Sequence, residues 1–103
     1  MAGRVVWSPR AASQLESICD YIALDSPVYA RIFAQKVLSI VKILPVYPQT
    51  GRMVPEYNHP DLREKIYGDY RIVYRISAST IEVAAICHGA RQLERVLPDP
   101  RKT

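Results

Sequence analysis

The chain has 103 residues, 49% of them hydrophobic, and a formal net charge of +4 at pH 7. This length and apolar content predict one compact domain over residues 1 to 103 and exclude an intrinsically disordered chain. The basic charge favours an acidic partner, which is either a nucleic acid or an acidic protein segment.

The N-terminal half predicts one strand followed by two helices. The β-branched and aromatic run Arg4–Trp7 is typical of a strand, and Ser8 with Pro9 marks the cap and first position of a helix. Apolar residues then recur at three- and four-residue spacing, as in an amphipathic helix: Ala11, Leu15, Ile18 and Ile22. After Asp25-Ser26-Pro27 a second such stripe follows: Ala30, Phe33, Val37, Ile40 and Leu44. The short connection predicts an antiparallel helical hairpin.

The C-terminal half predicts a long loop, three strands and a short helix. Four prolines and a glycine between residues 45 and 61 exclude a helix or a central strand there. Strands are predicted over residues 62–67, 70–76 and 80–88, with a tight turn at Gly68-Asp69 and a second short connection at residues 77–79. One or two helical turns are expected within residues 90–97.

This order of elements predicts an α+β domain in two layers. The helical hairpin has to bury its apolar stripe, and the sheet offers the only large apolar surface. We therefore expect both helices on one face of a mainly antiparallel, twisted sheet whose other face is open. Strand alternation assigns two sets of residues to opposite faces. The core set is Tyr70, Ile72, Tyr74 and Ile76, and the open set is Arg71, Val73 and Arg75.

Cysteine usage and hydropathy indicate the cellular setting. Cys19 and Cys87 lie far apart, each in an apolar pattern, which predicts buried free thiols rather than a disulfide framework. No apolar run approaches the roughly 20 residues that span a membrane. The N-terminus lacks the apolar region of a signal peptide, so we expect a cytoplasmic protein.

The sequence contains none of the common catalytic motifs. It has no glycine-rich phosphate loop, HExxH, paired-cysteine site or GxSxG, and His59 and His88 lack neighbours at metal-ligand spacing, so we expect no cofactor and no metal. RNA cleavage by its own 2′-OH needs only oriented cations and a proton carrier. One predicted surface carries such groups: Arg63, Arg71, Arg75, His88 and Arg91. In the alternative, structural interpretation, arginines of this basic cluster pair with carboxylates across the hairpins: Arg63 and Arg75 with Glu64, Glu82 or Asp69.

Several segments occur in an order and spacing typical of one family. They are Val6-Trp7-Ser8-Pro9, Gly51-Arg52, Arg63-Glu64, Tyr67-Gly68-Asp69-Tyr70-Arg71-Ile72-Val73-Tyr74 and His88-Gly89-Ala90-Arg91. With them the chain resembles the RelE/ParE superfamily, the toxins of bacterial type II toxin–antitoxin pairs. The fold of that family is the α+β arrangement predicted above from periodicity.

The resemblance implies one of two activities. RelE-like members cut mRNA on the ribosome, and in that case Arg71, Arg91 and His88 would be the catalytic residues here. ParE-like members poison DNA gyrase, and the resemblance implies no catalytic residue for them. The RelE-like pattern has two lysines and a terminal tyrosine at three positions that differ in this chain: Leu62, Glu64 and Leu97.

We therefore expect a ParE-like toxin that poisons gyrase and is neutralised by an acidic cognate antitoxin. The five residues of the basic cluster are its expected target-binding residues. Two alternatives stay open: a RelE-like mRNA endonuclease, and a relic of the fold that has lost toxicity and only binds an antitoxin or a nucleic acid.

Overall fold

A computed structural model describes residues 3–89 and 93–97 of the chain. Its elements, in order, are β1 (Arg4–Trp7), α1 (Pro9–Ala23), α2 (Pro27–Lys42), β2 (Arg52–Met53), β3 (Leu62–Tyr67), β4 (Tyr70–Ser77), β5 (Thr80–His88) and α3 (Leu93–Val96). The strands form one sheet in the order β1-β5-β4-β3-β2. The pairing of β1 with β5 is parallel and the other pairings are antiparallel. The α+β fold is confirmed, and none of the helices in the described residues is long and apolar enough to cross a membrane.

Both long helices begin as the sequence predicts. The Ser8 hydroxyl accepts a hydrogen bond from the Ala11 backbone N–H, and Ser26 caps α2 in the same way through Tyr29. The apolar stripes of the two helices pack on one face of the sheet. Their shared core is Ala11, Phe33, Val37, Val41, Leu44, Ile72, Tyr74, Ile81, Val83 and Ile86.

A bulge in β5 separates the part of this strand that pairs with β1 from the part that does not. Val73 of β4 faces Ala85, but the next residue, Tyr74, faces Val83, so β5 has one extra residue at Ala84. The strand β1 ends here, opposite Val83. Two side chains then bond the β5 backbone, one from the α1 cap residue and one from α1 itself. Ser8 Oγ donates to Ala84 O at 3.1 Å, and Gln14 Oε1 accepts from Ile86 N–H at 2.8 Å. Beyond the bulge, β5 is therefore bordered by a helix.

The prediction that the second sheet face is open was wrong. A second apolar cluster covers it: Val54, Tyr57, Leu62, Val73, Ala84, Ala85, Cys87, Leu93 and Leu97. Val54 and Tyr57 come from the proline-rich loop, and the Tyr57 hydroxyl donates to Leu97 O at 2.5 Å, which ties the loop to the end of α3. Apolar residues in an irregular loop show no helical or strand period, so the pattern of the sequence did not reveal this cover.

The loop and the C-terminal segment differ in smaller ways from the predictions. Residues 45–61 contain a 3₁₀ turn (Pro48–Thr50) and the two-residue edge strand β2, as well as irregular backbone. The predicted terminal helix is present at α3, while its expected start at residues 90–92 lies outside the described residues. Cys19 and Cys87 are free thiols, and Cys87 is buried.

Candidate functional site

Arg71 lies on the second sheet face, near the start of the central strand β4, and is held by two carboxylates. It is buried, with 6% of its surface exposed. Its Nη1 and Nη2 atoms donate to the two carboxylate oxygens of Glu56 at 2.6 and 2.8 Å, and its Nε donates to Oε1 of the buried Glu64 at 2.6 Å. The hydrogen bonds with Glu56 raise the pKa of Arg71 further above its usual range, against the opposing effect of burial. The guanidinium is therefore satisfied within the protein.

A second arginine extends this arrangement to the surface. The other oxygen of Glu64 accepts a hydrogen bond from Arg52 Nε at 2.6 Å, and the Arg52 side chain is 63% exposed. We call Arg52, Glu56, Glu64 and Arg71 the ion-pair network. Sequence reasoning missed Arg52 as a site residue, although the Gly51-Arg52 segment was part of the family resemblance.

The structure does not bring the predicted basic cluster together on one face. In the hairpin closed by the Gly68-Asp69 turn, Arg63 pairs with Tyr74. Paired residues of neighbouring strands lie on the same face, so Arg63 is on the face that the helices cover. There its Nε donates to Pro60 O and its Nη1 to Gly51 O, both at 2.9 Å. Arg63 therefore holds the long loop in place, and its expected position on an open face was wrong.

His88 is also on the helix-covered face. The bulge in β5 places it opposite Tyr70, and the two rings stack edge to face with centroids 5.5 Å apart. Without the bulge, strand parity would have put His88 on the face of Arg71, as predicted. Arg75 does lie on that face and is exposed, and it pairs with Glu82 at 3.3 Å, as the structural interpretation expected. Arg91 lies outside the described residues.

An aromatic groove opens between α1 and the part of β5 beyond the bulge. Its volume is about 390 Å³. Gln14, Ile18 and Tyr21 line it from the helix, and Tyr70 and His88 line it from the sheet. Burial raises the pKa of Tyr70, and charge repulsion from Tyr21, Asp69 and Tyr29, in decreasing order, raises it further. Through Tyr21, the groove adjoins an exposed part of the helical hairpin.

Large apolar side chains are exposed at that end of the hairpin. Leu24 has 86% of its surface exposed and Tyr21 has 73%. The others are Val28, Tyr29 and Ile32. None of these belongs to the apolar stripes that pack on the sheet, and that is the signal by which the sequence could have revealed them. Exposed aromatic residues around a concave site are typical of protein interfaces.

Comparison with known proteins identifies the family. Residues 5–93 match the model described as the ParE toxin of the type II toxin–antitoxin system parDE. The chain is 33% identical to Toxin RelE2 of Caulobacter vibrioides over 85% of this chain and 97% of the relative. The chain belongs to the ParE toxin family.

Further matches agree with this assignment. A putative toxin, Y4kP of Sinorhizobium fredii, is 32% identical over 91% of this chain and 96% of its own length. A solved structure of the chromosomal ParDE toxin–antitoxin system from P. aeruginosa has the same fold, with a TM-score of 0.68 and 24% identity over 85% of this chain and 96% of that chain. As a ParE-family toxin of a type II system, the chain has an antitoxin as its partner.

The three positions at which this ParE-family chain departs from the RelE-like pattern are all buried. Leu62 and Leu97 are part of the second apolar cluster. Glu64 has a fully buried side chain and bonds to two arginines. The described residues offer no group of three or more histidine, cysteine, aspartate or glutamate side chains that could hold a metal ion. Burial raises the pKa of the Cys19 thiol, which disfavours the reactive thiolate.

Proposed function

We propose that this ParE-family toxin inhibits DNA gyrase through protein–protein contacts and does not cleave RNA. The observation that carries this proposal is the state of Arg71. All three of its donor nitrogens are bonded to the carboxylates of Glu56 and Glu64, so the central cation of a RelE-like site is already neutralised.

The electrostatics of the ion-pair network argue against phosphate binding at Arg71. A phosphate could reach that guanidinium only by displacing the partly exposed Glu56 or the buried Glu64, and for Glu64 the loss of a buried ion pair costs roughly 3–5 kcal/mol. Catalysis of RNA cleavage needs donors that are free to stabilise charge on the phosphate. In addition, Arg71 and His88 face opposite sides of the sheet, so they do not form one catalytic site.

The RelE-like alternative is supported by the name of one relative, Toxin RelE2. The two functions predict different effects of the purified toxin. A gyrase inhibitor should block DNA supercoiling by purified gyrase and leave mRNA on translating ribosomes intact. An endonuclease should leave supercoiling unaffected and give discrete mRNA cuts in the ribosomal A site, detectable by primer extension.

We expect inhibition of supercoiling, and induced cells that form filaments and show DNA damage. Discrete mRNA cuts that disappear in Arg71→Ala would contradict the proposal in favour of the endonuclease. A chain that neither arrests growth nor affects either assay would be the non-toxic relic. Gyrase acts in the cytoplasm, and we place the toxin there as well.

The aromatic groove and the exposed end of the hairpin are the proposed antitoxin surface. A toxin of net charge +4 favours an acidic antitoxin, and the exposed tyrosines and Leu24 supply the apolar area that ordering a disordered segment requires. The product of the neighbouring reading frame should copurify with the tagged toxin. Leu24→Asp should reduce this copurification, whereas Arg4→Ala, at the edge of the sheet formed by β1, should not.

A further inference from the structure

The ion-pair network leaves one guanidinium facing solvent. Arg52 uses its Nε to bond Glu64, and no described residue accepts a hydrogen bond from either of its terminal nitrogens. Those two nitrogens form a planar fork that matches a carboxylate. We propose that Arg52 is a target-binding residue of this toxin, which captures the carboxylate of an Asp or Glu flanked by apolar residues on the target protein. This inference rests on the proposed function, because it takes the target to be a protein.

Arg52 is positioned by neighbours that are themselves fixed. The strand β2 places it directly opposite Glu64. Glu64 has no exposed side-chain surface and is bonded on its other oxygen by Arg71, which Glu56 holds in turn. A guanidinium held through Nε loses less freedom when it binds than one on a free side chain, and this preorganisation favours affinity. Glu64 and Arg71 are therefore positioning residues for Arg52.

A groove adjoins this arginine on the second sheet face. One part, of about 260 Å³, is lined by Arg52, Pro55, Glu56, Ile66, Arg71 and Gly89. A neighbouring cavity of about 320 Å³ shares Ile66, Arg71 and Gly89 with it and continues to Tyr70 and His88, which also line the aromatic groove. Ile66 has 53% of its surface exposed, although it lies next to the buried network. We call the part that Arg52 lines the Arg52 groove.

The composition of the Arg52 groove indicates the kind of partner. Arg52 offers a fork for a carboxylate, and Ile66 with Pro55 offers apolar contact beside it. The wall also carries the carboxylate of Glu56, and Asp69 lies in the neighbouring cavity. The successive phosphates of a nucleic acid would be repelled by both, whereas a single carboxylate contacts Arg52 alone. An Asp or Glu flanked by apolar residues on a protein fits these features. Arginine next to apolar surface is typical of interface residues that contribute most to binding.

The Arg52 groove and the aromatic groove have no lining residue in common and lie on opposite faces of the sheet. Tyr70 and His88 are on the helix-covered face, whereas Arg71 and Ile66 are paired on the other. The proposed antitoxin surface and the proposed target surface are therefore separate. A substitution in one should leave binding at the other unchanged, which gives the experiment an internal control.

The test compares Arg52→Ala and Arg52→Lys with Arg4→Ala. Arg4 is an exposed arginine on β1, at the opposite edge of the sheet from Arg52. For each variant, one measures gyrase inhibition, antitoxin affinity by calorimetry, and the melting temperature. We expect Arg52→Ala to raise the half-inhibitory concentration by about tenfold or more, as for loss of an interface arginine. Antitoxin affinity should stay within about twofold of wild type, and the melting temperature should fall by less than in Arg71→Ala, because Glu64 keeps its buried partner Arg71.

Arg52→Lys separates a positioned fork from simple positive charge. Lysine keeps the charge but has no Nε donor for Glu64 and no fork, so it should inhibit nearly as weakly as alanine. Arg4→Ala should inhibit as wild type does. Full inhibition by Arg52→Ala or by Arg52→Lys would overturn the inference, and so would a loss confined to antitoxin binding.

Failure of the proposed function gives a different pattern. If the wild-type toxin arrests growth without inhibiting gyrase, the choice of gyrase is wrong. The same variants are then compared by growth arrest, and an Arg52→Ala chain that arrests growth like wild type overturns the role of Arg52. If the wild-type toxin cuts mRNA and Arg52→Ala abolishes the cutting, the bound group is a phosphate and the inferred carboxylate partner is wrong.

Discussion

The two faces of the sheet are covered by different kinds of structure. On one face, the regular helices α1 and α2 bury an apolar core. On the other, an irregular loop and the short helix α3 cover a smaller apolar cluster that contains the buried charges of Arg71 and Glu64. The helix-covered face is stabilised by apolar packing and by hydrogen bonds to the loop, whereas the second face also depends on ion pairs between strand and loop. The second face should therefore tolerate substitution of its charges poorly and respond to pH.

Tyr74→Ala tests the helix-covered face and should have the largest effect. Tyr74 is fully buried, and removing its ring should lower the free energy of unfolding by about 3–5 kcal/mol. Its hydroxyl donates to Pro48 O at 2.6 Å and accepts from Gly51 N–H at 3.0 Å. Chemical denaturation measures the change. A loss below about 1 kcal/mol would show that this core is not packed as described.

Tyr74→Phe is the matched control for that substitution. It keeps the ring and leaves only the loop groups of Pro48 and Gly51 without a partner. Such losses cost about 1–3 kcal/mol, so the phenylalanine variant should be clearly more stable than the alanine variant. Equal losses would mean that the loop contact, and not the packing of the ring, dominates.

Arg71→Ala tests the second face. It leaves the buried Glu64 with only Arg52 as partner and should lower the free energy of unfolding by about 3 kcal/mol, the lower end for a broken buried ion pair. The double variant Arg71→Met, Glu64→Leu removes both buried charges and should recover most of that loss. Urea denaturation of the two variants and wild type gives the comparison. A single variant as stable as wild type would contradict the assigned role of Arg71.

The helix-covered face was predictable from sequence because its residues follow regular periods. The Ser8 cap, the apolar stripes and the buried position of Tyr74 were predicted correctly. The second face was not predictable in the same way. Val54 and Tyr57 belong to a proline-rich loop without a period, and the bulge at Ala84 moves His88 to the opposite face from the one that simple alternation assigns.

The sheet face on which Arg63 lies could have been predicted from the sequence. The two-residue turn fixes the register of β3 on β4, and counting outwards from it places Arg63 opposite Tyr74. The burial of Arg71 was harder to foresee, because it depends on Glu56 reaching across from the loop. Charge at a strand position does not by itself distinguish a binding residue from a buried ion pair.

Glu56→Gln tests the pH response of the second face. Hydrogen bonds from Arg71 lower the pKa of Glu56 despite the opposing effect of partial burial. A lowered folded-state pKa means that this carboxylate stabilises the fold above its unfolded pKa of about 4.3 and loses the effect as pH falls through the folded value. Glu56→Gln should be less stable than wild type by up to about 1 kcal/mol at pH 7, a small effect because the pair is partly exposed.

The difference between Glu56→Gln and wild type should shrink as the pH falls and disappear below the lowered folded-state pKa of Glu56, where the wild-type carboxylate is protonated as well. Comparing the two chains at each pH cancels the titration of the other carboxylates. Thermal melting of both chains between pH 7 and pH 3 measures this difference in stability. A difference that grows as the pH falls would have the wrong sign for this carboxylate.

Arg75→Ala should have the smallest effect, although Arg75 lies on the same strand and the same face as Arg71. Its guanidinium is 3.3 Å from Glu82, and the two side chains are 44% and 34% exposed. Water and salt screen such a pair, so its loss should change the free energy of unfolding by less than about 0.5 kcal/mol. Urea denaturation at low and at high salt measures it, with Arg71→Ala in parallel. If Arg75→Ala were as destabilising as Arg71→Ala, burial would not be what separates these two arginines. Some property other than burial would then have to distinguish an arginine that stabilises the fold from one that is available to a partner.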